Sequence, residues 1–314
     1  LYMKKRKISR KDAWRIVLLL ILVILLLGWF SRRKMPLPGA VAKHAVPSAT
    51  GQTASHDEEE GGSGRSLRIS GPTVIARATN VPGRLELPTV EDSTFFLEDA
   101  EGRYAMLYDT LYRQAAWVAY RLTRREAEYK GTERSNRFVP DPKVKERGWP
   151  TAVASDYTRS GYDRGHLLPS ADRDDDSREN AATFYLSNIS PQRPALNRRI
   201  WKKLEEQVRR WAVSFDTVYV VTGGVLTSGI DRIKGGVGVP GHFFKVLLVR
   251  CGGQYRCAGF LIPNRTEIPG GYSDYQVPVD EIENLTGYDF FPSLPDSIEN
   301  RIEAGADRSF WRIA

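Results

Sequence analysis

Cysteine is scarce in this chain of 314 residues: there are two, Cys251 and Cys257, and no histidine or third cysteine stands near them. A cysteine-ligated metal cluster is excluded at that place, because such a centre needs further Cys or His ligands close by. Gly252-Gly253 lies between two apolar runs, so the pattern predicts a hairpin that sets the two cysteines opposite each other. A disulfide there would be a local clip, and two unbridged small side chains are the alternative. Net positive charge is also scarcer than the total suggests. The chain carries +8, but residues 1–34 hold ten basic side chains against Asp12 alone, which leaves −1 for everything that follows. A globally basic nucleic-acid-binding body is therefore excluded, and any basic surface must be a local patch. There is no internal repeat.

Long hydrophobic runs are equally rare. Only residues 16–30 form one, fifteen residues without a charged or strongly polar side chain. As a helix this run spans roughly 22 Å at 1.5 Å per residue, short of the ~30 Å hydrocarbon layer. Trp14 and Trp29 stand near its two ends, and Arg15 can snorkel to lengthen the span. Seven basic residues precede the run and three follow it. The positive-inside rule then keeps the N-terminus in the cytoplasm, inserts residues 1–34 as a basic tail with a transmembrane signal-anchor, and places the rest outside, periplasmic or extracellular. Cleavage is the alternative. Its best site, Ala40-Val41-Ala42, lies well beyond the run and behind Arg32-Arg33-Lys34, and cleavage there would leave a secreted protein.

Residues 35–84 are rich in Pro, Ala, Gly, Ser and Thr and contain the acidic cluster Asp57-Glu58-Glu59-Glu60. No helical or strand period persists, which predicts a flexible linker with a reach of roughly 40 Å. Residues 85–314 read as one α+β domain, a mixed α/β body with a central antiparallel sheet. Strands are expected at residues 104–109, 116–123, 184–188, 218–222, 242–250 and 260–263. The strongest helix is expected over residues 194–211, where Ile200, Trp201, Leu204, Val208 and Trp211 fall on one stripe. A C-terminal helix should open at Val279 and close at Phe290-Phe291-Pro292.

Chemistry concentrates in fewer than fifty residues. His166 is one of two histidines beyond the linker and follows Asp163-Arg164-Gly165, where the glycine would free the backbone to turn the ring into a cleft. A neutral imidazole can take a proton from water, with an acid limb expected near pH ~6.5. Asn197 starts the long helix, and its neutral carboxamide oxygen suits a hydrated hard cation such as Mg²⁺. On an unbroken α-helix Glu205 and Arg209 fall about 80° and 120° from Asn197. An ordinary i, i+4 surface pair is the alternative for those two. His242 and Lys245 are expected on strand faces, Lys245 solvated, and Trp117, Trp201 and Trp211 in the core.

Three segments together, Asp163-Arg164-Gly165-His166-Leu167-Leu168-Pro169, Asn188-Ile189-Ser190-Pro191-Gln192 and Leu196-Asn197-Arg198-Arg199-Ile200-Trp201-Lys202-Lys203-Leu204-Glu205, resemble the DNA/RNA non-specific endonuclease family. Thr222-Gly223-Gly224, His242-Phe243-Phe244-Lys245 and the 285–292 segment are similar to it as well. The resemblance runs over residues 85–295 in order and spacing. It implies a ββα-metal (His-Me finger) site and Mg²⁺-dependent cleavage of DNA and RNA that gives 5′-phosphate ends, with Mn²⁺ able to serve. It also implies roles: His166 as general base, Asn197 as the metal ligand, Glu205 ordering the metal's waters, and Asn188 bonding near the base. Arg209 would steady the scissile phosphate, and Arg164 would either touch phosphate or buttress the hairpin. An upstream arginine is assigned to Arg137, with Arg134 as its rival, and Asp163 is read as orienting the turn. Expected partners are DNA, RNA, the membrane through the N-terminal helix, and a second copy in a homodimer. Two other functions fit the same motifs, an exported phosphodiesterase with another substrate and a nucleic-acid-binding protein without catalysis.

Overall fold

Strand β3 (Gln114–Thr123) sets the frame, because residues 115–120 are all apolar or aromatic and the strand is buried along nearly all its length. In the computed structural model, which describes residues 84–89 and 93–313, it pairs with β2 (Tyr104–Asp109) on one side and β6 (Thr217–Gly224) on the other. Beyond β2 lies β1 (Phe96–Glu98), and beyond β6 come β7 (His242–Cys251), β8 (Gln254–Pro263) and β9 (Gln276–Val277). The seven strands form one sheet, order β1-β2-β3-β6-β7-β8-β9, and every pair is antiparallel. A separate hairpin joins β4 (Asp163–His166) to β5 (Ile189–Gln192).

Both faces of the large sheet are covered, which explains why its strands read as continuous apolar runs. Val118, Tyr120, Val220, Phe243 and Leu247 pack on one face beneath a long helix that contributes Trp201, Leu204, Val208 and Trp211. Trp117, Ala119, Val221, Phe244 and Leu248 point the other way, against Val279, Ile282, Phe290 and Phe291. The three tryptophans occupy the core positions expected of them. Leu204 is wholly buried in the first layer, so its truncation to Ala would cost roughly 2–5 kcal/mol.

Several elements differ from expectation. Residues 184–188 form no strand: Tyr185 makes a single bridge to Val139, and Leu186–Asn188 is a 3₁₀ turn that delivers the chain into β5. The long helix begins at residue 194 but winds its first part, Leu196–Trp201, as a π-helical turn before a regular segment, Lys202–Phe215. The C-terminal helix, Val279–Thr286, ends at Gly287 and not at Phe290-Phe291-Pro292, which leave the helix and bury both rings. Gly252 and Gly253, both at positive φ, make the expected hairpin turn. The register nonetheless pairs Cys251 with Gln254 and Cys257 with Leu248, three rungs away. At about 3.4 Å per residue that offset exceeds what a disulfide spans, and both thiols are free. Among the described residues no helix is long and apolar enough to cross a membrane. The expected anchor at residues 16–30, and all of the 35–84 linker but Arg84, lie outside the described residues.

Candidate active site

The β4–β5 hairpin and the helix that follows it form a ββα unit. Strand β4 carries Asp163, Arg164 and His166, and His166 pairs in register with Ile189. Gly165 is needed for closeness and not for freedom. A Cβ there would lie 2.3 Å from the buried Gln192 side chain, and its φ is outside the left-handed range. Just behind the strand, Asn188 is buried and fully used. Its Oδ1 accepts from the Leu168 N–H at 2.9 Å, and its Nδ2 donates to the carbonyls of Leu168 (3.0 Å) and Thr183 (2.8 Å). Asn188 therefore fixes the chain immediately after His166 without entering the cleft.

His166 itself is nearly buried, 9 % exposed. Its ring meets Phe184 edge-on at 4.8 Å and Phe138 at 5.6 Å, and Nε2 is a buried nitrogen with no hydrogen-bond partner. Burial, reinforced by the Arg134 charge, pushes its pKa down to about 3. This differs from the ordinary imidazole the sequence suggests: the ring stays neutral through the whole physiological range. Arg134 reaches the site from the loop before the hairpin. It bonds Ser170 Oγ, donates to Asn136 Oδ1 at 2.9 Å, and lies over the Phe184 ring at 4.9 Å.

On the helix side, Asn197 sits in the π-helical turn. Its Nδ2 donates to Asp163 Oδ2 at 3.0 Å, which commits the amide nitrogen and leaves the carboxamide oxygen as its acceptor. Asp163 is gripped by Arg198 as well, through two bonds of 2.8 and 2.6 Å. Burial opposes its charge, but the bonds from Arg198 and Asn197 win and hold this carboxyl below the usual range. Asp163 thus orients Asn197. A π turn advances fewer degrees per residue than an α turn, so Glu205 and Arg209 swing closer to the bearing of Asn197 than an unbroken helix would allow.

Arg209 donates to Asp172 Oδ1 at 2.8 Å, and the Tyr120 hydroxyl donates to Asp172 Oδ2 at 3.0 Å. Asp172 has no exposed surface. Glu205 makes no ion pair with a described residue. Its carboxyl is raised by burial, with Asp172 adding to the rise and Lys245 and Arg209 opposing it. Lys245 is the largest departure from expectation. It is completely buried under the helix, its Nζ lies 4.9 Å from the centre of the Trp201 ring, and it has no hydrogen-bond partner. Burial lowers its pKa, and the Glu205 charge works against that fall.

One cleft of about 390 Å³ is lined by Arg134, Arg164, His166, Asn197, Glu205 and Arg209. Arg164 also donates to the Ala154 carbonyl at 3.1 Å and lies over the Phe138 ring at 4.9 Å, so it buttresses the hairpin while facing the cleft. Of the residues expected at the site, Arg137 is absent: it is exposed and lines no part of the cleft. Arg134 takes that place, because Asn136, at φ 52°, turns the loop between the two arginines. Asp172 and Lys245 were missed. Asp172 hides in an acidic run that looks solvated, and Lys245 is a charged side chain in an apolar strand, where a lysine ordinarily reaches solvent. The only signal for Lys245 is that Phe243 and Leu247, on the same side of the strand, are apolar.

The profile of the DNA/RNA non-specific endonuclease family matches residues 98–297. A nuclease of Nostoc sp. is 36% identical over 216 residues, covering 66% of this chain and 77% of that protein. Human mitochondrial endonuclease G is 34% identical over 206 residues, 61% of this chain and 68% of its own length. Among solved structures, EndoG in its complex with EndoGI superposes with a TM-score of 0.55 at 28% identity, over 64% of this chain and 89% of that one.

Proposed function

Because the chain belongs to the DNA/RNA non-specific endonuclease family, we propose that it hydrolyses internal phosphodiester bonds of both DNA and RNA, with His166 as general base and a divalent cation at Asn197. The observation that carries this reading is the content of the one cleft. It brings together a neutral imidazole with an unpartnered nitrogen, a carboxamide oxygen aimed by Asp163, a carboxylate with no ion-pair partner among the described residues, and four guanidinium groups, those of Arg134, Arg164, Arg198 and Arg209.

The donor set fits a hard cation. Asn197 offers a neutral oxygen and Glu205 an anionic one on the same wall, and neither Cys nor a second His is present to favour a softer metal. Asn197 would hold Mg²⁺, or Mn²⁺ in its place, with Glu205 fixing the surrounding water. When bound, the cation draws negative charge from the phosphate and the departing 3′ oxygen. His166 removes a proton from the attacking water, the hydroxide displaces the 3′ oxygen in line, and that oxygen takes up a proton from solvent, leaving a 5′-phosphate and a 3′-hydroxyl. Arg134 and Arg164 face the cleft with charge available for phosphate oxygens. Arg209 serves partly through Asp172, which spends one of its N–H groups and fixes the plane of the guanidinium.

Exposed Arg198, Arg199, Lys202 and Lys203 make a local basic face on the same helix. Such a face suits backbone phosphate, so sequence preference should be slight and binding should weaken with salt. The N-terminal charge pattern supports a domain anchored outside the cytoplasm. Nicking of supercoiled plasmid, with and without EDTA and with His166→Ala, tests the proposal. Undiminished cleavage in EDTA, or full activity of the variant, would overturn it. Binding without cleavage would instead favour a non-catalytic protein.

A further inference from the structure

Away from the cleft, on the opposite face of the sheet, acidic side chains collect where two helices meet. Helix Val279–Thr286 supplies Asp280 and Glu283, and helix Asp296–Glu303 supplies Glu299 and Glu303. One carboxylate oxygen from each of Asp280, Glu283 and Glu303 lies within 4.8 Å of the others. Glu303 is 3 % exposed, and its Oε1 is buried with no hydrogen-bond partner. An unpaired buried carboxylate is costly unless a donor, a proton or a cation meets it. The charged groups that act most strongly on Glu303 are Glu283, Glu299, Asp280 and Asp289, all of them acids.

We propose that Asp280, Glu283 and Glu303 form a second cation site, shaped for Ca²⁺, that clamps the last acidic helix to the one before it. Calcium bonds of 2.3–2.6 Å reach carboxylate oxygens separated by up to about 4.8 Å, in irregular geometry and with water completing the shell. Magnesium requires shorter bonds and a near-octahedral shell, which suits this trio less well. Burial, together with the surrounding carboxylates, pushes the Glu303 carboxyl up to about 9. A proton is therefore the competitor for the same place. A single proton, however, would neutralise Glu303 and leave Glu283, Asp280 and Asp289 still facing one another, whereas a divalent ion offsets two charges together.

Thermal melting of the full chain near neutral pH, in EDTA and then in rising Ca²⁺, tests the clamp. An ion at ten times its Kd multiplies the folded-to-unfolded ratio about elevenfold, a rise of roughly 3–6 °C in Tm for a domain of this size. The expected result is a rise of that order in the wild type and in Asn197→Ala, which removes the cleft ligand, and it should grow by a constant step for each further tenfold of Ca²⁺. The rise should be absent from Glu303→Gln and from the half-exposed Asp280→Asn, and Asp280→Asn decides the matter if Glu303→Gln does not fold. A rise kept by these variants, or none in the wild type, overturns the site. Stabilisation by Glu303→Gln in EDTA, together with no calcium response in the wild type, assigns the place to a proton. Glu303→Gln should nick plasmid in Mg²⁺ at the wild-type rate, so failure of the clamp and failure of the nuclease reading are separate results.

Discussion

At pH 5 an imidazole with the ordinary pKa of ~6.5 is about 97 % protonated, and a general base of that kind loses roughly thirtyfold in rate. His166 should lose almost nothing. Burial against Phe184 and Phe138, with the Arg134 charge beside it, brings its pKa to about 3, which leaves about 1 % protonated at pH 5. Single-turnover cleavage of a short labelled duplex at saturating Mg²⁺ should therefore change by less than about twofold between pH 5 and 8. Glu205 introduces a separate dependence, because burial raises its carboxyl and protons then compete with the cation there. That limb is recognised by its response to metal: it should appear at low Mg²⁺ and move to lower pH as Mg²⁺ rises. A tenfold loss per pH unit below 6.5 that persists at saturating metal would refute the argument. Stability carries the same sign. The folded chain binds the His166 proton more weakly than the unfolded chain, so this contribution is intact above pH ~6.5 and is lost as pH falls toward 3. By pH 5 the loss is about 2 kcal/mol. Urea melts at pH 7 and pH 5 should show that difference, and His166→Phe should abolish this part of it.

Asn197→Ala should lower the cleavage rate by more than about a hundredfold with little change in Tm, since the side chain is half-exposed and its one bond is to Asp163. Asp172→Ala should destabilise the fold by roughly 3–5 kcal/mol in urea melts, because it strands Arg209 and the Tyr120 hydroxyl at a wholly buried site. Lys245→Met should keep the fold, since a thioether of similar length replaces a buried ammonium that makes no hydrogen bond. The acid limb assigned to Glu205 should then move to higher pH, as the cation opposing its protonation is gone. Melting should be unchanged by reductant, because the register keeps Cys251 and Cys257 three rungs apart.

That His166, Arg164, Asn197, Glu205 and Arg209 line one cleft was legible because they are carried on a β-hairpin and one helix. Secondary structure of that kind has a fixed period, and a fixed period converts spacing into direction. Arg134 and Arg137 lie in a loop with no period, and a single residue at positive φ, Asn136, decided which of them faced the cleft. The cysteines show the same limit in a strand. Gly252-Gly253 correctly announced the hairpin, but the two-residue turn fixed a register in which the bond could not form. For Lys245 the failure has another origin. A lysine on a strand is normally at the surface, and the arrival of a helix whose Trp201 lies 44 residues upstream buried it.

That burial links the fold to the chemistry. A sheet covered on both faces has no wet side, so any charge projecting from β7 toward the helix must be met by charge from the helix itself. Lys245 rises from the sheet between Phe243 and Leu247, while Glu205 and Arg209 descend from the helix with Asp172 between the layers. The π-helical turn at Leu196–Trp201 brings Asn197 toward the same line. Local helix propensity contains no reason for that wider turn. Its consequence is that the carboxamide, which a cation can use, stands above a carboxylate whose protonation the buried lysine opposes. The cleft is therefore the exposed end of a charge network that begins inside the core, which makes Glu205 sensitive to substitution at the buried Lys245.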